Sequence, residues 1–375
     1  MGPLSGLNVI EMAGIGPAPF VGMMLSDMGA DVLRIDRKPS ASADKFERVK
    51  APNFVDRGRR SIALDLKRPL GAALALDLIA GADAVIEGFR PGVMERLGLG
   101  PEDCLNRNPK LVFGRVTGWG QDGPLAQTAG HDINYIALTG VLHAIGGAER
   151  PIPPLNLVGD FAGGAMMLAF GLVCALLEAR ASGRGQVVDA AMTDGASTLA
   201  AMIFSFRAAG MWRDERAANL LDGGAPFYQA YACADGGFVA VGALEPQFFA
   251  ALLKGLGVDA AELPDRWRPE NWPAIAERFA AIFATKSRDA WADIFSSTDA
   301  CVTPILSLGE APGHPHNAFR HSFAGGEPQP APRFSRTPGE IAGPPVTIGQ
   351  GGEAALRGRG IGDERIAALK ACGAM

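Results

Sequence analysis

The first half of the chain alternates short, nearly continuous apolar runs with stretches whose apolar residues recur at helical spacing. Residues 7–12, 30–36, 61–66, 84–89 and 111–116 have strand length and little polar alternation. Residues 20–28 and 70–80 between them carry the helical pattern. Strands with no polar face must be buried on both sides, and helices alternating with them supply the covers, so the pattern predicts a parallel sheet in an α/β fold. Helices are expected over 133–145 and 162–181, then a strand over 185–191 and a helix over 196–210.

The pattern changes near residue 222. Residues 227–233 and 238–243 flank Ala234-Asp-Gly-Gly237, and Asp-Gly supplies the positive φ angles of a hairpin turn. Three amphipathic helices, 246–256, 272–285 and 288–296, complete a small α+β unit. The stretch 312–345 is rich in Pro and Gly and reads as a linker. The expected organisation is a large domain over 1–222, a small domain over 223–318, and a segment 319–375 returning to the first.

Composition narrows the class. The chain of 375 residues is 48% hydrophobic and 20% charged, as globular proteins are, and two domains suit its length. Its net charge of −5 lacks the basic footprint of a general nucleic-acid binder. Cys104, Cys174, Cys233, Cys301 and Cys372 are odd in number and without metal or redox spacing, which suits free thiols in a reducing, cytoplasmic compartment. The N-terminus carries no basic, signal-like region. The uncharged run 161–177 is at the short limit of a membrane span, contains three glycines, and is read as a buried helix.

Two features suggest anion binding. Gly14-Ile-Gly16-Pro-Ala-Pro19 follows the first strand and Asp36 ends the second, as in dinucleotide-binding turns. However, Pro19 stands where the third glycine would, and Pro17 and Pro19 remove backbone donors, so a plain βα turn competes with an NAD(P)-dehydrogenase reading. Between Arg34 and Arg68 eleven Lys or Arg face five acids, a local charge of +6. At the carboxyl ends of parallel strands such a run suits a multiply phosphorylated ligand; the alternative is a solvated basic loop.

Candidate chemistry lies at two helix starts. Gly130-His131-Asp132-Ile-Asn-Tyr135 opens one apolar helix, and Asn156-Leu-Val-Gly159-Asp160-Phe-Ala-Gly163-Gly164 opens another. Asp132 and Asp160 could each be ordinary N-caps. Together with His131 they could instead be acid–base groups, with Gly163 and Gly164 baring backbone for a substrate and free N–H groups holding an enolate oxyanion. Met166, Met167 and Leu168 could line an adaptable pocket or belong to the helix core. His314, His316 and His321 cluster in the Pro-rich linker without a set of acids, and no metal site is expected there.

These motifs are joined by Gly29-Ala-Asp-Val-Leu-Arg-Ile-Asp36, Ile86-Glu-Gly-Phe-Arg-Pro-Gly92, Thr117-Gly-Trp-Gly-Gln-Asp-Gly-Pro124, Pro154-Leu-Asn-Leu-Val-Gly-Asp160, Gly185-Gln-Val-Val-Asp189 and Leu244-Glu-Pro-Gln-Phe248. Over essentially its full length the chain resembles the family III CoA-transferases (the CaiB/BaiF superfamily), most closely their α-methylacyl-CoA racemase branch. The His131-Asp132 pair carries the branch. The resemblance implies a Rossmann-like large domain, a smaller α+β domain and an interlocked homodimer. It further implies that His131 and Asp160 are the acid–base pair and that Glu245 orients the histidine. The active site would form where one subunit's large domain meets the partner's small domain. The substrate's CoA would lie along Arg37, Leu64, Asp65, Leu66, Arg90, Arg96 and Tyr135. Asp132, Asn156, Gly163 and Gly164 would complete the pocket, with no separate cofactor, metal, nucleic acid or membrane involved. The nearest rival keeps the fold and makes Asp160 the nucleophile of a CoA transfer to a carboxylate.

Overall fold

The computed structural model describes residues 2–38 and 53–375. Six strands, β1 (Asn8–Met12), β2 (Asp31–Arg37), β3 (Arg60–Leu64), β4 (Ala84–Glu87), β5 (Val112–Thr117) and β6 (Gln186–Ala191), pair in parallel in the order β3-β2-β1-β4-β5-β6. Helices α1 (Pro17–Asp27), α2 (Pro69–Ala80), α3 (Val93–Arg96) and α4 (Pro101–Arg107) connect the first five strands. Between β5 and β6 come α5 (Asp132–Leu138), α6 (Val141–Ala144), a π-helical segment Leu157–Met166 and α7 (Met167–Ser182). α8 (Met192–Leu199) and α9 (Ala201–Ala208) follow β6.

Alternation along each strand builds the two halves of the core. Ile10, Leu33, Ile62, Val85 and Phe113 point to one face. Val9, Val32, Ala84, Ile86 and Val112 point to the other, against α1 and α7. Each such side chain contributes about 1.5–3 kcal/mol when buried, which is why the strands read as unbroken apolar runs. By contact, one compact unit comprises residues 1–139, 155–199 and 327–375, and the other 140–154 and 200–326. Residues 140–154 and 200–222, expected with the large domain, therefore group with the smaller unit.

In that smaller unit β7 (Tyr228–Ala232) and β8 (Phe238–Gly242) form the expected hairpin, with Gly236 at φ +80°. α10 (Pro246–Leu256), α11 (Trp272–Phe283) and α12 (Arg288–Phe295) cover it through Phe227, Trp272, Phe279, Phe283 and Trp291. A third strand, β9 (Val302–Ile305), pairs with β8. Its Pro304 is tolerated because the strand lies at the sheet edge. The Pro-rich linker holds a short helix, α13 (Pro315–Phe319). Beyond it α14 (Gly352–Gly358) and α15 (Asp363–Ala371) place Leu356, Ile366 and Leu369 in the same core cluster as Ile62 and Leu64.

Three expectations need correction. The helix expected over 133–145 is broken at Gly140, whose φ of +80° ends α5. The helix expected from 196 begins at Met192, directly after β6. The helix expected from 162 begins five residues earlier as a π-helix, so Asp160 lies inside it rather than capping it. Leu157–Ser182 is long and apolar enough to cross a membrane by length and composition, and 44% of its most apolar window is buried.

The basic run is largely neutralised within the fold. Arg34 pairs with Asp36 at 2.8 Å and Asp56 at 2.5 Å, Arg57 with Asp27 at 2.6 Å and Glu327 at 3.0 Å, and Arg59 with Glu11 at 2.6 Å. Lys45, Arg48 and Lys50 lie outside the described residues. Glu11 is fully buried, and burial pushes its carboxyl up to about 7 against the opposing pull of Arg59 and Arg34. An acid raised in the folded state lets the unfolded chain release its proton first, so this group makes stability fall as pH climbs from 4.5 towards 7.

Arg59→Met should cost about 3–5 kcal/mol of unfolding free energy, because it strands a buried charge. Its losses should grow as pH rises above about 7, where Glu11 ionises in the parent but stays protonated without Arg59. Denaturant titration of Arg59→Met and of Glu11→Leu/Arg59→Met checks this. The double variant should recover much of the loss, and a single variant within about 1 kcal/mol of the parent would contradict the pairing.

Candidate active site

The strand order reverses between β1 and β4, and the turns that follow these two strands, with the turn after β5, surround the candidate residues. Gly16, after β1, has φ +76°. A Cβ there would stand 3.3 Å from Asp160 Oδ2, so the Gly-rich turn backs the Asp160 carboxyl rather than a pyrophosphate. Asp36 cannot bind a ribose either, since Arg34 and Ser61 both donate to its Oδ2 and it is buried.

His131 is the N-cap of α5, extended at φ −132° and ψ 173°, and exposed. Its N–H donates to Asn134 Oδ1 at 3.0 Å, fixing the first turn. Tyr135, one helical turn on, donates its hydroxyl to the Gly130 carbonyl and packs edge-on to Trp119 at 4.8 Å. Its ring crosses Gly118 so closely that a Cβ there would sit 2.0 Å from it. The Tyr135 hydroxyl therefore donates inside the protein, holding the turn that carries His131.

Asp132 is buried at the first position of α5, and its Oδ2 accepts the Asp160 N–H at 2.7 Å. That N–H is thus occupied and is not among those open to an oxyanion. Asn156 Nδ2 donates to Asp160 Oδ2 at 3.1 Å, which gives Asn156 a direct role at the carboxyl. Neither aspartate is the capping residue. Burial raises the Asp160 carboxyl above the usual range, the Asn156 hydrogen bond lowers it, Asp132 raises it and His131 lowers it. Burial also raises Tyr135, with Asp160 adding and Arg90 opposing. His131, Asp132, Tyr135, Arg90 and Asp160 therefore feel one another's charge.

Gly163 and Gly164 have a packing reason. Cβ atoms there would stand 2.9 Å from the Ala196 nitrogen and from Met192 Cγ respectively. Both glycines are buried and let the π-helical segment press on α8, instead of baring backbone to a substrate. Leu168 belongs to the core and Met166 is exposed.

Residues 4–351 match the profile of CoA-transferase family III. The chain belongs to this family. It is 48% identical over 373 residues to alpha-methylacyl-CoA racemase of Mus musculus, covering 98% of this chain and 96% of that protein. It is 46% identical to alpha-methylacyl-CoA racemase of Homo sapiens, covering 89% and 87%. A CAIB/BAIF family protein from Brucella suis shares the fold at a TM-score of 0.81 and 24% identity, covering 96% and 99%.

Among the residues that resemblance to the CoA-transferase family assigns to CoA, Arg90 and Arg96 are exposed after β4, and Arg37 is exposed at the end of β2. Leu64 is buried in the core and Leu66 packs against it. The Asp65 N–H donates to the Ala374 carbonyl at 2.8 Å, and its carboxylate accepts the Lys67 N–H at 3.0 Å. Glu245 is the exposed, extended N-cap of α10 in the smaller unit. Arg266, which sequence reasoning missed, holds the approach to it. Its guanidinium donates to the carbonyls of Ala243 at 3.1 Å and Leu244 at 2.9 Å, while stacking over Phe227, Phe249 and Trp267. Among the described residues no three His, Cys, Asp or Glu gather as a metal site.

Gly16→Ala should lower activity at least tenfold, because a methyl group at positive φ would be driven onto the Asp160 carboxyl. Steady-state kinetics paired with a thermal melt checks this. Unchanged kcat in a folded variant would remove Gly16 from the site.

Proposed function

We propose that this protein racemises 2-methylacyl-CoA thioesters by moving the proton α to the thioester carbonyl. The observation that carries this reading is the placement of an imidazole and a half-buried carboxyl, His131 and Asp160, at two helix starts tied by one hydrogen bond. One of the two takes the α-proton as a base, leaving an enolate. The other, protonated, returns a proton to the opposite face, and the C–H bond broken is replaced by a C–H bond of inverted sense. A carboxyl held above its ordinary range suits both halves of the exchange, being basic when charged and able to hold a proton when neutral. Glu245 is proposed as the acid that orients the imidazole. The exposed guanidinium groups of Arg37, Arg90 and Arg96 are proposed as the phosphate-binding groups for CoA, with Leu64–Leu66 offering main chain alongside. No separate cofactor enters this chemistry.

A second copy of the chain is proposed as the partner, in an interlocked homodimer. Supporting this, Met166, Phe170, Val173 and Leu177 form an exposed apolar stripe along Leu157–Ser182, and such stripes usually mark contact surfaces.

His131→Ala and Asp160→Asn should each lower racemisation of a single 2-methylacyl-CoA epimer by 10²–10⁴-fold, about the range for loss of one acid–base group. Chiral separation of the product thioesters reads this out. A His131→Ala variant racemising at the parent rate would remove the imidazole from the mechanism.

A further inference from the structure

Asp132 has a function that its place at the start of a helix does not explain. An aspartate serving only its own helix would turn its oxygens to the N–H groups of the first turn. Asp132 Oδ2 instead reaches across to the Asp160 N–H at 2.7 Å. Its Oδ1 is buried without a hydrogen-bond partner among the described residues, and Asp132 is only 5% exposed. Leaving a buried carboxylate oxygen unpaired is costly, so a fold that keeps one does so for a reason beyond helix capping. Gly159 makes the approach possible, since a Cβ there would stand 2.6 Å from Oδ2.

We infer that Asp132 is a positioning residue of the proton-transfer site, its carboxylate clamping the Asp160 main chain while setting a fixed negative charge beside the Asp160 carboxyl. This rests on the racemase reading above and deepens it. Several groups bear on Asp160: His131 and Asp132 from the start of α5, Tyr135 one turn on, and Asn156 by hydrogen bond. The Gly16 turn packs against it without charge. Asp132 is the group of this set whose carboxylate adds to burial in disfavouring the Asp160 anion, whereas Asn156 and His131 act the other way. A like charge at that position makes Asp160 a stronger base when it is ionised and keeps it protonated to higher pH when it must return a proton.

Asp132→Asn keeps the shape and an acceptor for the Asp160 N–H but removes the charge. Wild-type protein is first shown to exchange the α-proton of a 2-methylacyl-CoA in deuterated buffer; no exchange there would overturn the racemase reading itself, independently of Asp132. The pH profile of kcat is then measured for wild type, Asp132→Asn and Asp132→Glu, each checked for folding by thermal melt. In Asp132→Asn the acid limb should move down by about one pH unit and plateau kcat should fall about tenfold, with KM within twofold. Asp132→Glu keeps the charge and should hold the limb at its wild-type position. An Asp132→Asn profile superimposable on wild type, or an Asp132→Glu limb displaced as far, would overturn the inference.

Discussion

A parallel sheet whose strand order reverses sends successive connections to opposite faces, and the turns leaving the two strands at the reversal diverge. Here the reversal lies between β1 and β4. The turn after β1 brings Gly16 against Asp160, and the turn after β4 carries Arg90 within electrostatic reach of Tyr135. Open α/β sheets bind ligands at this point because it is where their topology leaves a crevice. The family's sheet thus supplies the place, and the two helix starts of the β5–β6 connection carry the residues proposed for the chemistry.

Charge is handled differently on either side of that crevice. Towards β2 and β3 the fold uses its arginines internally, in pairs with Glu11, Asp27, Asp36 and Asp56. Buried pairs of this kind add little net stability over apolar residues, but losing one partner is severe, so they fix strand ends and turns in one arrangement. At the reaction site the opposite policy holds. Among the described residues Asp132 and Asp160 are like charges brought together without a salt bridge to either, and Asp132 keeps an oxygen without a partner. Repulsion there disfavours the doubly charged state, which is the condition under which one carboxyl can both take and give a proton.

Much of the fold was legible because it rests on local pattern. Continuous apolar runs marked five strands of the parallel sheet, the sixth was expected over 185–191, and Asp235-Gly236 marked the hairpin. His131 and Asp160 were legible as ionisable groups opening apolar helices. What was not legible depends on partners far away in sequence. Nothing local to Arg57 or Arg59 reveals that Asp27, Glu327 or Glu11 will neutralise them, so the basic run looked like an exposed field. Gly163 and Gly164 looked like open backbone because their reason, the approach of Met192 and Ala196, lies some thirty residues on. The early π-helical start escaped notice because its wider turn has no simple residue signature. β9 escaped because Val-Thr-Pro-Ile is short and contains a proline.

Racemisation requires proton transfer at carbon, not acyl transfer to Asp160. The most direct test is incubation of one pure epimer of a 2-methylacyl-CoA with the intact protein in deuterated water, with no carboxylic acid added. Deuterium at C2 and both epimers in the product are expected. Exchange that is absent until a free carboxylic acid is supplied, with CoA then moving to that acid, would contradict racemisation and make Asp160 a nucleophile.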